Sequence, residues 1–140
     1  MARSVELHRQ AHAAFNARDW STMRGLLSEG ITYEDHPRGL TITSSEEFVG
    51  WLQSWVKGFS DASPSEPRYI DGGDYSIALF QARGTNDGDF GPVSGTGNRM
   101  DAPFCEVLHV GPDGKIDRGE LYYDNVTIMV QMGAMAPPEG

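Results

Sequence analysis

NRMDAPFCEVLHVGPDGKIDRGELYY, residues 98–123, reads as two extended segments around one tight turn. The first, Asn98–Val110, carries Phe104, Val107 and Val110 and runs through Pro103; the second, Ile116–Tyr123, ends on two tyrosines. Between them Gly111-Pro112-Asp113-Gly114 supplies a proline that presets φ and a glycine free to take positive φ, so the chain reverses there into an antiparallel hairpin. Working backwards, Tyr75–Thr85 and Arg68–Asp71 are further extended stretches. Asn86–Gly97 is a glycine-rich loop, a turn cluster or a lid, with no Lys-Ser/Thr and no following helix to make it a phosphate loop. The C-terminal half is therefore antiparallel sheet, closed by a helix over Asn125–Met132 on Val126, Met129 and Met132. Residues 134–140, with Pro137 and Pro138, are expected to form a flexible tail.

The N-terminal half is helical. Leu7, Ala11, Ala14 and Phe15 recur at helical spacing behind Ser4, which predicts a helix over Val5–Ala17. A shorter helix over Trp20–Leu27 starts at Asp19 or Ser21 and stops at Gly30. Ile31–Asp35 is β-branched and aromatic and is closed by His36-Pro37, so it reads as a strand, with Leu40–Thr43 a brief second one. Ser44 followed three residues later by Glu47 is a capping box, and Phe48, Trp51, Leu52, Trp55 and Phe59 then share one helical face as far as Gly58. Ser60–Pro67 is read as a loop. Helices followed by long antiparallel strands is the α+β pattern, a single domain over residues 1–133 whose helices cover one face of a curved sheet and enclose a cavity. Three tryptophans, six phenylalanines and five tyrosines are enough aromatic bulk to wall it.

Composition narrows the function. Eleven Lys+Arg stand against twenty Asp+Glu, a formal charge of −9, and the basic residues are scattered, which argues against nucleic acid and anionic membrane surfaces as partners. The single cysteine, Cys105, excludes an internal disulfide and a cysteine-rich zinc site, and a mid-strand position makes it a small core residue. Residues 1–30 lack a signal-peptide pattern and no apolar run reaches the ~18 residues of a span, so a cytoplasmic protein is expected.

Six short motifs in order resemble a known family. Ala14-Phe15-Asn16-Ala17-Arg18-Asp19, Tyr33-Glu34-Asp35-His36-Pro37, Gly58-Phe59-Ser60-Asp61, Gly84-Thr85-Asn86-Asp87-Gly88, Asp113-Gly114-Lys115-Ile116, and Tyr122-Tyr123-Asp124 with Gln131-Met132-Gly133 are similar to the SnoaL-like polyketide cyclases of the nuclear transport factor 2-like superfamily. The resemblance implies a cone-shaped α+β barrel with three N-terminal helices and a short C-terminal one. It also implies a cofactor-independent acid–base enzyme that closes a ring on a small hydrophobic multi-carbonyl substrate by intramolecular aldol chemistry, and a homodimer through the outer sheet face. The fold also hosts lyases, isomerases, hydratases and non-catalytic ligand-binding proteins, which stay open as alternatives.

The resemblance assigns the acid–base role to Asp124, pointing into the cavity, where poor solvation would raise its pKa. The residues alone leave another role open, since Asp is a favoured N-cap for the helix that follows and its pKa would then fall. Pairing about the turn puts Asp124, Tyr122 and Glu120 on one face with Asp101, Cys105 and His109, and Glu106 on the other; a slip of one residue reverses this. Tyr33 and Asp35 share a face that lines the cavity in the family, as oxyanion donor and second acid–base group, or they are a wall tyrosine and a solvated acid. Gln81 and Arg83 share a face of their strand and, with Tyr122, are candidates to steady an oxyanion if that face is inward. Limonene epoxide hydrolases on this fold use an Asp-Arg-Asp triad with an Arg-x-Asp step on the equivalent strand; here the step reads Arg83-Gly84-Thr85, without the second Asp, which argues against that epoxide chemistry. His36 is a candidate ligand contact, and Trp51, Trp55 and Phe15 are candidate walls. His109 lies too far along its strand to pair with Asp124. His8 and His12, at i and i+4, have a metal-compatible spacing, but no third ligand is evident in the sequence, so a solvated helix face and no metal are expected.

Overall fold

Three short polar side chains start helices in the computed structural model, which describes residues 3–139. Asp19 accepts from Thr22 N–H at 3.1 Å and begins α2 (Trp20–Leu26); Ser44 Oγ accepts from Glu47 N–H at 3.1 Å and begins α3 (Ser45–Gly58). Asp124 accepts from Val126 and Thr127 N–H and begins α4 (Asn125–Gln131). Ahead of them α1 (Arg3–Asn16) buries Val5, Leu7, His8, Ala11, Ala14 and Phe15 on one stripe. Gly140, the end of the expected tail, lies outside the described residues.

The strands are β1 (Leu27–Asp35), β2 (Leu40–Ile42), β3 (Ser63–Gly72), β4 (Tyr75–Thr85), β5 (Arg99–Val110) and β6 (Ile116–Tyr123), with a 3-10 turn at His36–Arg38. They form one sheet in the order β2-β1-β6-β5-β4-β3, antiparallel except where β1 runs parallel to β6. Helix α1 packs on β3, β4 and β5, α3 on β1, and α4 on β5, so the helices and the inner sheet face close around a shared core. This is the expected α+β architecture, with three helices before the long strands and a short one after them. Among the described residues no helix is long and apolar enough to cross a membrane.

Ser4, read above as a helix start, lies inside α1 and donates to the Gly73 and Tyr75 carbonyls, and two strand boundaries differ from the sequence reading by four residues or more. Strand β1 begins at Leu27, directly after α2, because Gly30 sits within the extended chain rather than stopping a helix. Strand β3 takes in Ser63–Pro67, read above as loop. It is an edge strand, where proline costs no ladder bond, and a bulge between Ser65 and Arg68, with Glu66 at φ 52°, absorbs the irregularity. The loop between β4 and β5 is pinned rather than lid-like: the buried Asn86 amide donates to Gly58 and Gly88 carbonyls and its oxygen accepts from Thr96 N–H. Phe90 from the same loop packs on Trp55 and Phe59.

The hairpin pairs Cys105 with Tyr122 and Val107 with Glu120 and keeps the two face sets counted from the turn, but the set that holds Tyr122 and Glu120 faces outward, not into the cavity as the role implied for Asp124 requires. Ala102, Phe104, Glu106 and Leu108 are buried on the inner face, and Asp101, Cys105 and His109 look outward. Burial of the more apolar alternate set decides the face, and Glu106 is carried inside with it. Gly119 then has a specific use. It lies beside Tyr33 in the parallel pairing, and a Cβ there would stand 2.5 Å from a Tyr33 ring carbon. Only glycine leaves the ring its place.

Candidate functional site

Between the inner sheet face and α1 and α3 lies a cavity of about 90 Å³. Phe15, Met23, Trp51, Trp55, Phe80 and Phe104 supply much of its wall. Its polar lining, among the described residues, comes from His12, Ser63 and Glu106. His12, Leu52, Ser63, Pro64 and Phe80 are the partly exposed members, and all but Leu52 lie where α1 meets the β3–β4 edge, which puts the mouth there.

Glu106 is the centre of a closed network. Helical spacing turns His8 and His12 to one face of α1, and both Nε2 atoms reach Glu106 Oε1, at 2.8 and 3.1 Å. Tyr33 donates to Oε2 at 2.5 Å. Behind the imidazoles, His8 Nδ1 meets Ser76 Oγ at 2.8 Å and His12 Nδ1 meets the Tyr69 hydroxyl at 2.7 Å. Burial alone would raise the Glu106 carboxyl, but the hydrogen bonds from His12 and His8 outweigh it and hold the group well below the usual carboxylate range. Burial depresses the His8 imidazole below 6.5 despite the adjacent carboxylate. An ionised Glu106 and a neutral His8 fix the protons of that pair: His8 Nε2–H donates to Oε1, and its Nδ1 accepts from Ser76. Burial, with the Glu106 and Asp35 charges, raises Tyr33 well above its ordinary value, so it remains a donor.

A second buried carboxylate organises the far end of β1. Asp35 accepts from Arg38 Nε at 2.9 Å, Trp51 Nε1 at 3.1 Å and the Tyr123 hydroxyl at 2.8 Å. Burial and the Asp35 charge push Tyr123 up. These bonds tie β1, the 3-10 turn, α3 and β6 together, while Asp35 itself does not reach the cavity wall.

The candidates from the sequence therefore divide. Phe15, Trp51 and Trp55 line the cavity, whereas Tyr33 and Asp35 are buried in the core behind it, on Glu106 and on Arg38, Trp51 and Tyr123, and neither is part of its lining. Five others lie outside it. Asp124 is exposed, capping α4, and the bonds from Thr127 and Val126 lower its pKa rather than raise it. The helix cap wins because the strand ends one residue earlier, leaving Asp124 at the helix start. Tyr122 is 44% exposed on the outer face and stacks on His36, whose ring sits between Glu34 and Glu120. Gln81 and Arg83 share that outer face, and Arg83 pairs with Glu66 and Asp101. His8 and His12 are not a solvated face: His8 is fully buried, and the third polar partner absent from the local sequence is Glu106. The available signals were small. His8 falls on the same helical stripe as Ala11 and Phe15, and Glu106 falls in the apolar alternate set of its strand.

The SnoaL-like domain family matches residues 8–119. A candidate SnoaL-like polyketide cyclase from Jannaschia has a solved structure that aligns at TM-score 0.86 with 19% identity, covering 97% of this chain and 94% of that one. A candidate polyketide cyclase from Pseudomonas putida aligns at TM-score 0.82 with 23% identity over 94% of this chain and 98% of that one. AclR, a candidate hydroxylase from Streptomyces galilaeus, aligns at 0.80 with 22% identity over 96% and 83%. No curated protein sequence matches. At these identities the structural likeness carries the fold alone.

Proposed function

The chain belongs to the SnoaL-like domain family, and from that premise we propose that it is an acid–base enzyme of the polyketide cyclase type, with its proton-transfer centre at His12 and Glu106. The observation that carries this reading is the placement of one hydrogen-bonded imidazole–carboxylate pair in an otherwise apolar aromatic cavity. Glu106 stays ionised, orients His12 and stabilises its imidazolium, the part a buried carboxylate plays beside a catalytic histidine. His12 Nδ1 takes a proton from carbon next to a carbonyl once the ligand displaces the Tyr69 hydroxyl. The resulting enolate attacks a second carbonyl of the same molecule, and the imidazolium returns its proton to the alkoxide so formed. Aromatic walls hold the folded substrate in reach, a proximity gain of several kcal/mol.

A small hydrophobic multi-carbonyl compound is the substrate class that such a cavity suits. Calorimetry with a small aromatic β-diketone, followed by product analysis on longer poly-β-carbonyl chains, tests this: binding with ring-closed product is expected, and His12→Gln should bind without closing the ring. Binding with no product from any such chain would leave a ligand-binding protein instead. That second reading has one observation in its favour, since both nitrogens of His12 already have partners. A homodimer through the outer sheet face belongs to the same proposal: Ile70, Tyr75 and Tyr122 are exposed there, and light scattering should return twice the chain mass.

A further inference from the structure

We propose that His8 Nε2, His12 Nε2 and Glu106 Oε1 form a three-ligand site for a divalent ion of the zinc class, with its open coordination position toward the cavity. The three ligand atoms lie within 4.8 Å of one another. Both histidine nitrogens already converge on one oxygen, at 2.8 and 3.1 Å. Tetrahedral zinc with bonds of ~2.0–2.1 Å places neighbouring ligand atoms about 3.3–3.4 Å apart, so the two histidine–carboxylate separations need to open by about 0.2–0.6 Å and the two Nε2 atoms, within 4.8 Å of each other, to draw together by at most about 1.4 Å.

The donor set selects the ion. Two imidazoles and one carboxylate suit zinc, cobalt, iron or nickel, whereas magnesium and calcium ask for oxygen ligands throughout. Each ligand is also held from behind, by Ser76 on His8 Nδ1, Tyr69 on His12 Nδ1 and Tyr33 on Glu106 Oε2. Outer partners of this kind orient ligands and fix which nitrogen is free to bind; here Nδ1–H would donate to the hydroxyl and leave Nε2 for the metal. A hydroxyl serves as donor or acceptor, so Ser76 and Tyr69 accept the change of tautomer by turning their hydroxyl protons. Helix α1 holds two ligands at i and i+4, and β5 holds the third, so the site exists only in the folded chain. His12 and Glu106 line the cavity while His8 lies behind them, which leaves the fourth position for water or an oxygen of a bound carbonyl compound.

The site shares its atoms with the acid–base centre proposed above. An ion there shifts the two Nε2 protons to Nδ1, so in the loaded protein His12 Nδ1 already carries a proton and cannot take one from carbon. Binding is read without any substrate, which keeps the two proposals separable. The chelator-treated full-length chain is titrated with Co²⁺ and the visible spectrum recorded. One equivalent is expected, with the d–d bands of a four- or five-coordinate ion, bleached by Zn²⁺. His12→Gln, at a partly exposed position that folding should tolerate, is expected to abolish the bands, and Tyr69→Phe to weaken binding by about 10–100-fold. Circular dichroism of each variant confirms that it is folded. No saturable band in the wild type, or the same band in His12→Gln, overturns the metal site and leaves the acid–base proposal standing. A metal-binding chain that performs no proton transfer in its metal-free form upholds the site and removes the enzyme reading instead.

Discussion

Two clusters in this protein are built from the same side chains and sit on opposite faces of one sheet. Inside, His8 and His12 meet Glu106 and Tyr33; outside, His36 meets Glu34 and Glu120 and stacks on Tyr122. Separations are alike, 2.8–3.1 Å within and 3.2–3.3 Å without. Surroundings are not: the inner side chains are 0–12% exposed and the outer ones 36–42%. Water screens the outer pairs and competes for every donor, so they contribute little to stability or chemistry. The inner pairs are largely withdrawn from water, so their protein partners weigh most in setting their protons.

Substitutions in matched positions should break the comparison open. The largest difference is expected in turnover: His12→Gln should cost about 100-fold or more, the usual scale of a general acid–base group, while His36→Gln should stay within about twofold, under ~0.5 kcal/mol. Both follow from one rate assay on a carbonyl substrate. In urea denaturation, Glu106→Gln should lose about 3 kcal/mol, because it leaves the two histidines and Tyr33 around a group that can no longer accept from all of them; Glu120→Gln should lose less than about 0.5 kcal/mol. Gly119→Ala, which drives a methyl into the Tyr33 ring, should cost about 1–3 kcal/mol by overpacking. Equal effects at Glu106 and Glu120 would erase the distinction.

Acid sharpens it further. In chelated protein, His8 has a folded pKa below 6.5, so the unfolded chain takes up its proton first and stability falls as pH drops below that value. Glu106 is depressed from 4.5, so its contribution is complete above that value and is lost as pH falls toward its folded pKa. Both act in one direction, in two successive steps. Denaturation across pH should show both, and Glu106→Gln should remove the lower one. Asp124→Ala, which removes the N-cap of α4, should cost about 1 kcal/mol of stability, less than Glu106→Gln, while leaving turnover unchanged.

Element types were legible in the sequence because they rest on local signals. Ser44 and Glu47 capped a helix, and Gly111-Pro112-Asp113-Gly114 turned a hairpin whose register could be counted from its own residues. The edge strand at Ser63–Pro67 was hidden by its prolines, which the sheet tolerates only because one side of β3 has no neighbour. The site was harder to read, since it depends on which strand face turns inward. That is a choice between Ala102-Phe104-Glu106-Leu108 and Asp101-Pro103-Cys105-Val107, and a nearby acid at position 124 drew attention to the wrong one. Glu106 looks like an outward residue until the whole alternate set is weighed. Its partners lie on a helix more than 90 residues earlier in the chain, beyond any spacing rule.

Proton transfer at carbon can be followed without the natural substrate, through deuterium exchange at the activated methylene of a small aromatic β-diketone in D₂O. We expect the wild-type chain and Asp124→Asn to accelerate this exchange equally, and His12→Gln to fall to the uncatalysed rate. Exchange lost in Asp124→Asn but kept in His12→Gln would contradict the inner cluster as the acid–base centre.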